Sequence, residues 1–214
     1  MMRNPNERGT TAPKLVIFDR DGTLNHDRDD FVTSADEWLP IAGALEAVAR
    51  LNHAGWHAVV ATNQSGLGRG LFDMAALNGI HLKLTQQLAA EGGRIDAVFF
   101  CPHTPAEGCD CRKPLPGLPL QIGERYGIDL KNVPMVGDSL RDLQAAAAAG
   151  CEPHLVLTGK AAGSSAEQLA EWQAAVPATR VHADLSAFAD FVIQRERVAR
   201  GLPEQRDSMP GSLG

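Results

Sequence analysis

The sequence predicts an α/β chain folded as a doubly wound, mainly parallel sheet with helices on both faces. Three observations carry this. Short, continuously apolar runs alternate with helix-spaced segments along most of the 214 residues, the pattern of strands joined by crossover helices. The runs lack polar alternation, so the strands are covered on both sides. The runs starting near Leu15, His57 and Val133 are followed by polar residues able to carry chemistry, Asp19, Thr62 and Asp138. Ligands of such sheets bind beyond the carboxyl ends of the strands.

The elements follow in order. Residues 14–18 (KLVIF) read as a first strand. Residues 43–53 space Leu45, Val48 and Leu51 as one helical face, and Gly55 follows as a stop. Residues 57–61 (HAVVA) are a second strand. Asp73 is placed to cap a helix reaching about Ala90. Residues 95–100 (IDAVFF) give a third strand, 117–126 a helix, 133–136 a fourth strand, and 140–149 an alanine-rich helix stopped by Gly150. Residues 153–157 make a fifth strand, and 165–174 and 185–197 are helical, with a short strand at 179–181 between them. One domain is expected over 14–198, with flexible tails at 1–13 and 199–214. No segment between the motifs is long enough for a separate cap domain.

Composition excludes several classes. The chain is 44% hydrophobic and 21% charged, with a formal net charge of −6. A broad basic face for nucleic acid would need a surplus of Lys and Arg. No apolar run approaches the length of a membrane span, and the amino terminus lacks the apolar core of a secretion signal. The expectation is a cytoplasmic monomer acting on a small molecule. Gly66 to Gly70 is glycine-rich but lacks the strand–GxGxxG–helix setting of a dinucleotide site, so it reads as a loop with Arg69 near the ligand. Cys151 and the three tryptophans read as packing.

The densest chemical signal is Asp19-Arg-Asp21-Gly-Thr, directly after a buried strand. One carboxylate can attack phosphorus and carry the phosphoryl group. The other can protonate the leaving oxygen and later deprotonate water. A second acidic cluster, Gly137-Asp138-Ser-Leu-Arg-Asp142, follows the fourth strand. Asp19, Asp138 and a backbone carbonyl at position 20 or 21 offer the hard oxygens that Mg²⁺ takes. Thr62-Asn63-Gln64-Ser65 supplies a hydroxyl, amides and backbone N–H groups, and Arg112-Lys113 two cations for phosphate.

This set resembles the four motifs of the haloacid dehalogenase superfamily, over roughly residues 15–160. The resemblance implies a Rossmann-like core with Asp19 as nucleophile and Asp21 as general acid/base. It implies that Thr62 and Lys113 hold the phosphoryl group and that Asp19, Asp21 and Asp138 serve Mg²⁺. Asp142 would support the metal site from behind.

Cys101-x-His103-x5-Cys109-x-Cys111 carries three thiols and an imidazole in one loop. In a chain without a secretion signal, that donor set closes a tetrahedral structural zinc site more readily than it forms disulfides. The zinc would aim Arg112 and Lys113. With FDRDGTLN, TNQSGLGRG and CDCRKP, the loop closely resembles the heptose-1,7-bisphosphate 7-phosphatases of lipopolysaccharide core synthesis, and next the histidinol-phosphate phosphatases. It implies a sugar bisphosphate substrate touched by Asp27, Arg28, Asp29, Asp30, residues 62–65, Arg112 and Lys113, under a minimal hairpin cap. The chain departs from that pattern in a short His103–Cys109 interval and in Ser139, where several relatives carry Lys. A zinc-loop binding protein without catalysis is the alternative from another class. The intact Asp19, Asp21, Lys113 and Asp138 speak against it.

Overall fold

The computed structural model describes residues 13–202. Six parallel strands form one sheet: β1 (Leu15–Phe18), β2 (His57–Asn63), β3 (Ala97–Cys101), β4 (Pro134–Gly137), β5 (Glu152–Val156) and β6 (Arg180–His182). Their spatial order is β3-β2-β1-β4-β5-β6. Chain order therefore reverses between β1 and β4, and the two strands pair with Phe18 beside Val136. The amide of Asp19 bonds the Val136 carbonyl at 2.8 Å, which extends the ladder to the reversal point itself.

The helices divide between the faces. Helices α1 (Ala44–His53), α3 (Met74–Ala90) and α7 (Leu185–Ala199) cover one side, where Leu45, Leu84 and Phe188 meet Val16, Phe18 and Val60. Helices α4 (Gly117–Tyr126) and α5 (Leu140–Ala149) cover the other, with Leu118, Ile122 and Ala146 against Ile17, Val59 and Met135. Helix α6 (Ala166–Ala175) closes a smaller cluster with Leu143 and Leu155. All four residues of β1 are at most 1% exposed, as the continuous apolar run requires. Truncating one of these large side chains to Ala would cost about 2–5 kcal/mol. The far edge of that core is tied by Glu196, which accepts from Lys14 Nζ at 2.8 Å and Trp56 Nε1 at 2.9 Å.

Most expected elements stand where the sequence placed them, and three differences bear on the site. Strand β2 runs two residues further than expected, because Thr62 and Asn63 pair with Phe100 and Cys101. A one-turn helix, α2 (Ser65–Gly68), replaces the expected loop. The expected cap hairpin is reduced to isolated bridges from Asn25 to Asp21 and Pro40. The expected tails lie mostly outside the described residues, and α7 continues through Ala199.

Candidate active site

The reversal point brings four side chains from three segments together. Asp19 leaves β1, Asp138 follows β4, and Asp142 lies in the first turn of α5. Carboxylate oxygens from these three all lie within 4.8 Å of one another. Lys113 enters from the loop before α4, and its ammonium lies 2.6 Å from both Asp19 and Asp142. Asn63 fixes the lysine backbone reciprocally: its amide donates to the Lys113 carbonyl and its oxygen accepts the Lys113 N–H, each at 3.0 Å. Asp142 is held by Ser139, whose N–H and hydroxyl both donate to it, at 3.1 and 2.5 Å. That capping box also starts α5.

Close approach explains the neighbouring glycines. A Cβ on Gly22 would stand 2.0 Å from Asp138 Oδ2, and one on Gly159 would stand 2.1 Å from it. Gly22 also has φ +84°, a conformation that favours glycine. Asp138 is thus wedged between two bare backbones and accepts the Lys160 N–H at 2.6 Å.

Electrostatics follow from packing three carboxylates against one lysine. Burial pushes Asp138 up to about 8, with the charges of Asp19 and Asp142 adding. Burial also raises Asp19, to about 6, against the pull of Lys113. Burial alone would raise Asp142, but Lys113 more than offsets this and holds it below the ordinary range. Lys113 is raised: burial opposes its charge, and Asp142 and Asp19 overcome that. The set carries more negative than positive charge and offers only oxygens, which suits a hard divalent cation.

Asp21 is not part of this cluster. Its carboxylate accepts from Arg20 Nε at 3.1 Å and from Arg20 Nη2 at 3.0 and 2.9 Å. It also accepts from Asn25 at 2.9 Å and Gln64 at 2.8 Å. Burial would raise it, but Arg20 and these donors bring it below the ordinary value. Gln64 donates to Thr62 Oγ1 as well, at 2.9 Å, so one amide aligns both residues.

A cavity of about 250 Å³ opens onto Asp19, Asp21, Thr62, Asn63, Gln64, Ser65 and Lys113. Asp27, Arg28, Asp29 and Arg112 stand around it as expected. Asp30 does not line it; its carboxylate turns outward to pair with Arg28. Asp138 is not in the lining and meets the site through the carboxylate cluster. Arg69, Arg141 and Lys160 add cations to the rim, and Lys160 pairs with Asp27. Arg141 and Lys160 were not among the expected site residues. Position inside the second acidic motif could have marked Arg141, whereas nothing local marks Lys160, four residues past the end of β5.

The cysteine loop converges as its spacing implies. Cys101 Sγ lies 3.5 Å from His103 Nδ1 and 3.6 Å from Cys109 Sγ, and His103 Nδ1 lies 3.3 Å from Cys111 Sγ. Tetrahedral zinc bond lengths imply sulfur–sulfur edges of about 3.8 Å and sulfur–nitrogen edges of about 3.6 Å, close to these separations. Gly117 seals the loop: its N–H bonds the Asp110 carbonyl at 3.1 Å, and a Cβ there would stand 2.5 Å from that oxygen. Arg112 donates back to the His103 carbonyl at 3.5 Å.

Comparison with known proteins adds the relatives. Residues 110–187 match the HAD-hydrolase-like family model. The chain is 56% identical over 182 residues to the D-glycero-beta-D-manno-heptose-1,7-bisphosphate 7-phosphatase of Bordetella bronchiseptica, covering 85% of this chain and 98% of that one. It is 47% identical over 180 residues to the enzyme of the same name from Pseudomonas aeruginosa, covering 84% and 98%. The crystal structure of the B. bronchiseptica D,D-heptose 1,7-bisphosphate phosphatase, complexed with magnesium and phosphate, superposes with a TM-score of 0.79 over 85% of this chain and 99% of that one. With its fold, its motif positions and this degree of identity in agreement, the chain belongs to the D-glycero-beta-D-manno-heptose-1,7-bisphosphate 7-phosphatase family of HAD-like hydrolases.

Proposed function

We propose that the protein hydrolyses the 7-phosphate of D-glycero-D-manno-heptose-1,7-bisphosphate, using Asp19 as nucleophile and Mg²⁺ as cofactor. The observation that carries this is the buried Asp19–Lys113–Asp142 ion-pair chain beside Asp138, opening into a cavity rimmed by Arg28, Arg69, Arg112, Arg141 and Lys160. Such a rim suits a doubly phosphorylated sugar.

Asp19 and Asp138, with a backbone carbonyl of the Asp19–Asp21 motif, would hold Mg²⁺, which lowers the repulsion between carboxylate and phosphate. Asp19 attacks phosphorus and becomes the aspartyl-phosphate. Lys113 and Thr62 meet the phosphoryl oxygens, and Asn63 keeps the lysine in place. Asp21 gives a proton to the leaving sugar oxygen and then takes one from the attacking water. Its donors favour the charged form, so the resting carboxylate is set for the second of these tasks. Asp142 acts on Lys113 from behind the nucleophile.

Cys101, His103, Cys109 and Cys111 would hold zinc with no open position. The metal would keep the loop folded and Arg112 and Lys113 aimed. The single sheet supports one domain over residues 14–198. No helix among the described residues is long and apolar enough to cross a membrane. A cytoplasmic monomer acting in lipopolysaccharide heptose synthesis fits that observation and the relatives.

A steady-state panel tests the assignment: heptose-1,7-bisphosphate, hexose bisphosphates, sugar monophosphates and histidinol phosphate, each with Mg²⁺. The heptose bisphosphate should give the highest kcat/KM. A higher value for histidinol phosphate would overturn the substrate.

A further inference from the structure

Arg20 is an unusual residue to bury. It is 1% exposed and lies in the chain between the two carboxylates of the first motif. A guanidinium has five N–H donors and no acceptor, so each buried donor needs a partner. Nε and Nη2 go to Asp21. Nη1 faces Nε2 of His81 at 3.3 Å.

His81 arrives from the middle of α3. Leu77, Ile80, Leu84 and Leu88 are the buried residues of that helix. His81 lies four residues after Leu77 and three before Leu84, on the same stripe. An imidazole there interrupts an apolar seam whose other members simply pack, and its ring lies 6.5 Å from that of Phe100 between centroids. Its polar contact is the arginine. Because Arg20 only donates, the facing nitrogen must accept, which puts the ring proton on Nδ1 and leaves the ring neutral. Burial, and next the Arg20 charge, lower its pKa to about 4, in the same sense. His81 does not line the cavity.

We propose that His81 is a positioning residue for Asp21, acting through Arg20. The acceptor on α3 fixes the guanidinium plane, and the guanidinium fork fixes the plane of the carboxylate that faces the substrate. Asp19 is held separately, by Lys113 and by the Val136 carbonyl. Loss of His81 therefore disturbs proton transfer and leaves phosphoryl transfer to the nucleophile in place. The proposal rests on the reading of Asp21 as acid/base.

The test uses the Mg²⁺-loaded, zinc-replete protein and two substrates. The sugar bisphosphate has a poor alkoxide leaving group that needs a proton; 4-nitrophenyl phosphate does not. His81→Leu keeps the volume and removes the acceptor. It should lower the single-turnover rate of ester cleavage on the sugar bisphosphate about 10- to 100-fold, with KM changed less than about threefold. The first-turnover release of nitrophenolate from the aryl ester should stay within about threefold, the later hydrolysis of the aspartyl-phosphate being common to both. His81→Gln, a neutral acceptor, should restore the cleavage rate to within about threefold. Arg20→Lys keeps the charge and loses the fork; it should show the same selective loss, and it carries the test if His81→Leu does not fold. Equal losses on both substrates in these variants, or no rescue by Gln, would overturn the positioning role. Asp21→Asn separates the two ideas. If its loss is selective for the sugar ester while that of His81→Leu is not, only the positioning fails; if Asp21→Asn is itself unselective, the reading of Asp21 fails first.

Discussion

Among the described residues, two clusters of metal-ligand type lie at the carboxyl edge of this sheet, and they are assembled in opposite ways. The carboxylates come from the ends of β1 and β4 and the start of α5, and only the fold brings them together. They already contain a cation, Lys113, at 2.6 Å from two of them. The cysteine cluster comes from eleven consecutive residues and contains no cation of its own. The first is a property of the whole sheet and stays assembled through its lysine. The second is a property of one loop and depends on whatever ion its donors hold. On the proposed reading, a metal in the first place would serve chemistry and in the second place shape.

The sharpest way to break that division is at Asp19. Asp19→Asn should leave the melting temperature near that of the wild type, because burial already disfavours the charged form. It should lower kcat by about 10³-fold or more, the scale for losing a covalent nucleophile. Phosphate release within about tenfold of wild type would remove Asp19 from the mechanism.

Gly22→Ala probes how tightly the fold sets the carboxylates. The added methyl meets Asp138 Oδ2 at 2.0 Å, on a backbone with φ +84°. Something must shift, at a cost of about 1–3 kcal/mol. A Mg²⁺ titration of activity should show the half-saturating concentration rise roughly tenfold. An unchanged titration would mean that Asp138 is freer than its surroundings suggest.

Cys109→Ser sharpens the other side. Zinc content should fall from about one per chain, and the melting temperature by roughly 5–10 °C, as loss of about 2–3 kcal/mol gives for a domain of this size. KM should rise several-fold through Arg112 and Lys113, while kcat survives in part. Brief EDTA treatment of the wild type should do the reverse: activity lost and regained with Mg²⁺, melting unchanged. A variant that melts like the wild type yet turns nothing over would put the cysteines in the chemistry.

The smallest effect is expected at a third titratable cluster, which resembles neither of the other two. His154 Nδ1 and His182 Nε2 lie 2.9 Å apart between β5 and β6, stacked beside Phe188. Burial, then His154 and Arg180, lower His182 to about 4; burial lowers His154 too, against the pull of Glu152. The unfolded chain takes up these protons more readily than the folded one. Their contribution to stability is therefore present above about pH 6.5 and lost as pH falls towards 4. His182→Gln should flatten the fall in melting temperature between pH 7 and 4.5 by a few degrees, with or without EDTA. An unchanged slope would assign the acid limb to other groups.

What the sequence made legible follows the same division. The cysteine loop could be read because its four ligands share one short stretch. Asp19, Thr62, Lys113 and Asp138 could be read because each follows a strand or sits in a compact motif. Lys160 could not: its backbone bond to Asp138 and its pairing with Asp27 exist only once β5 lies beside β4. His81 hid for a related reason, since one histidine in an apolar stripe looks like a packed core residue until Arg20 is found against it. Helix α2 was missed because Ser-Gly-Leu-Gly has little helical propensity of its own. Close packing demands its glycines: a Cβ on Gly68 would stand 2.5 Å from the Pro102 carbonyl, and one on Gly66 would stand 2.4 Å from the Phe72 ring.

Asn63 has a consequence for how such a chain can change over generations. Its backbone pairs with Cys101, where the cysteine loop begins, and its side chain grips Lys113, just past where the loop ends. Both mouths of the loop are thereby stapled to one residue of β2. Residues 104–108 between them are a half-buried threonine followed by an exposed one-turn helix, closed on itself by Thr104 and Glu107. Insertions and deletions there would change exposed surface without displacing Lys113 from Asp19. The loop is built to change length at its tip while both of its ends stay in register on β2.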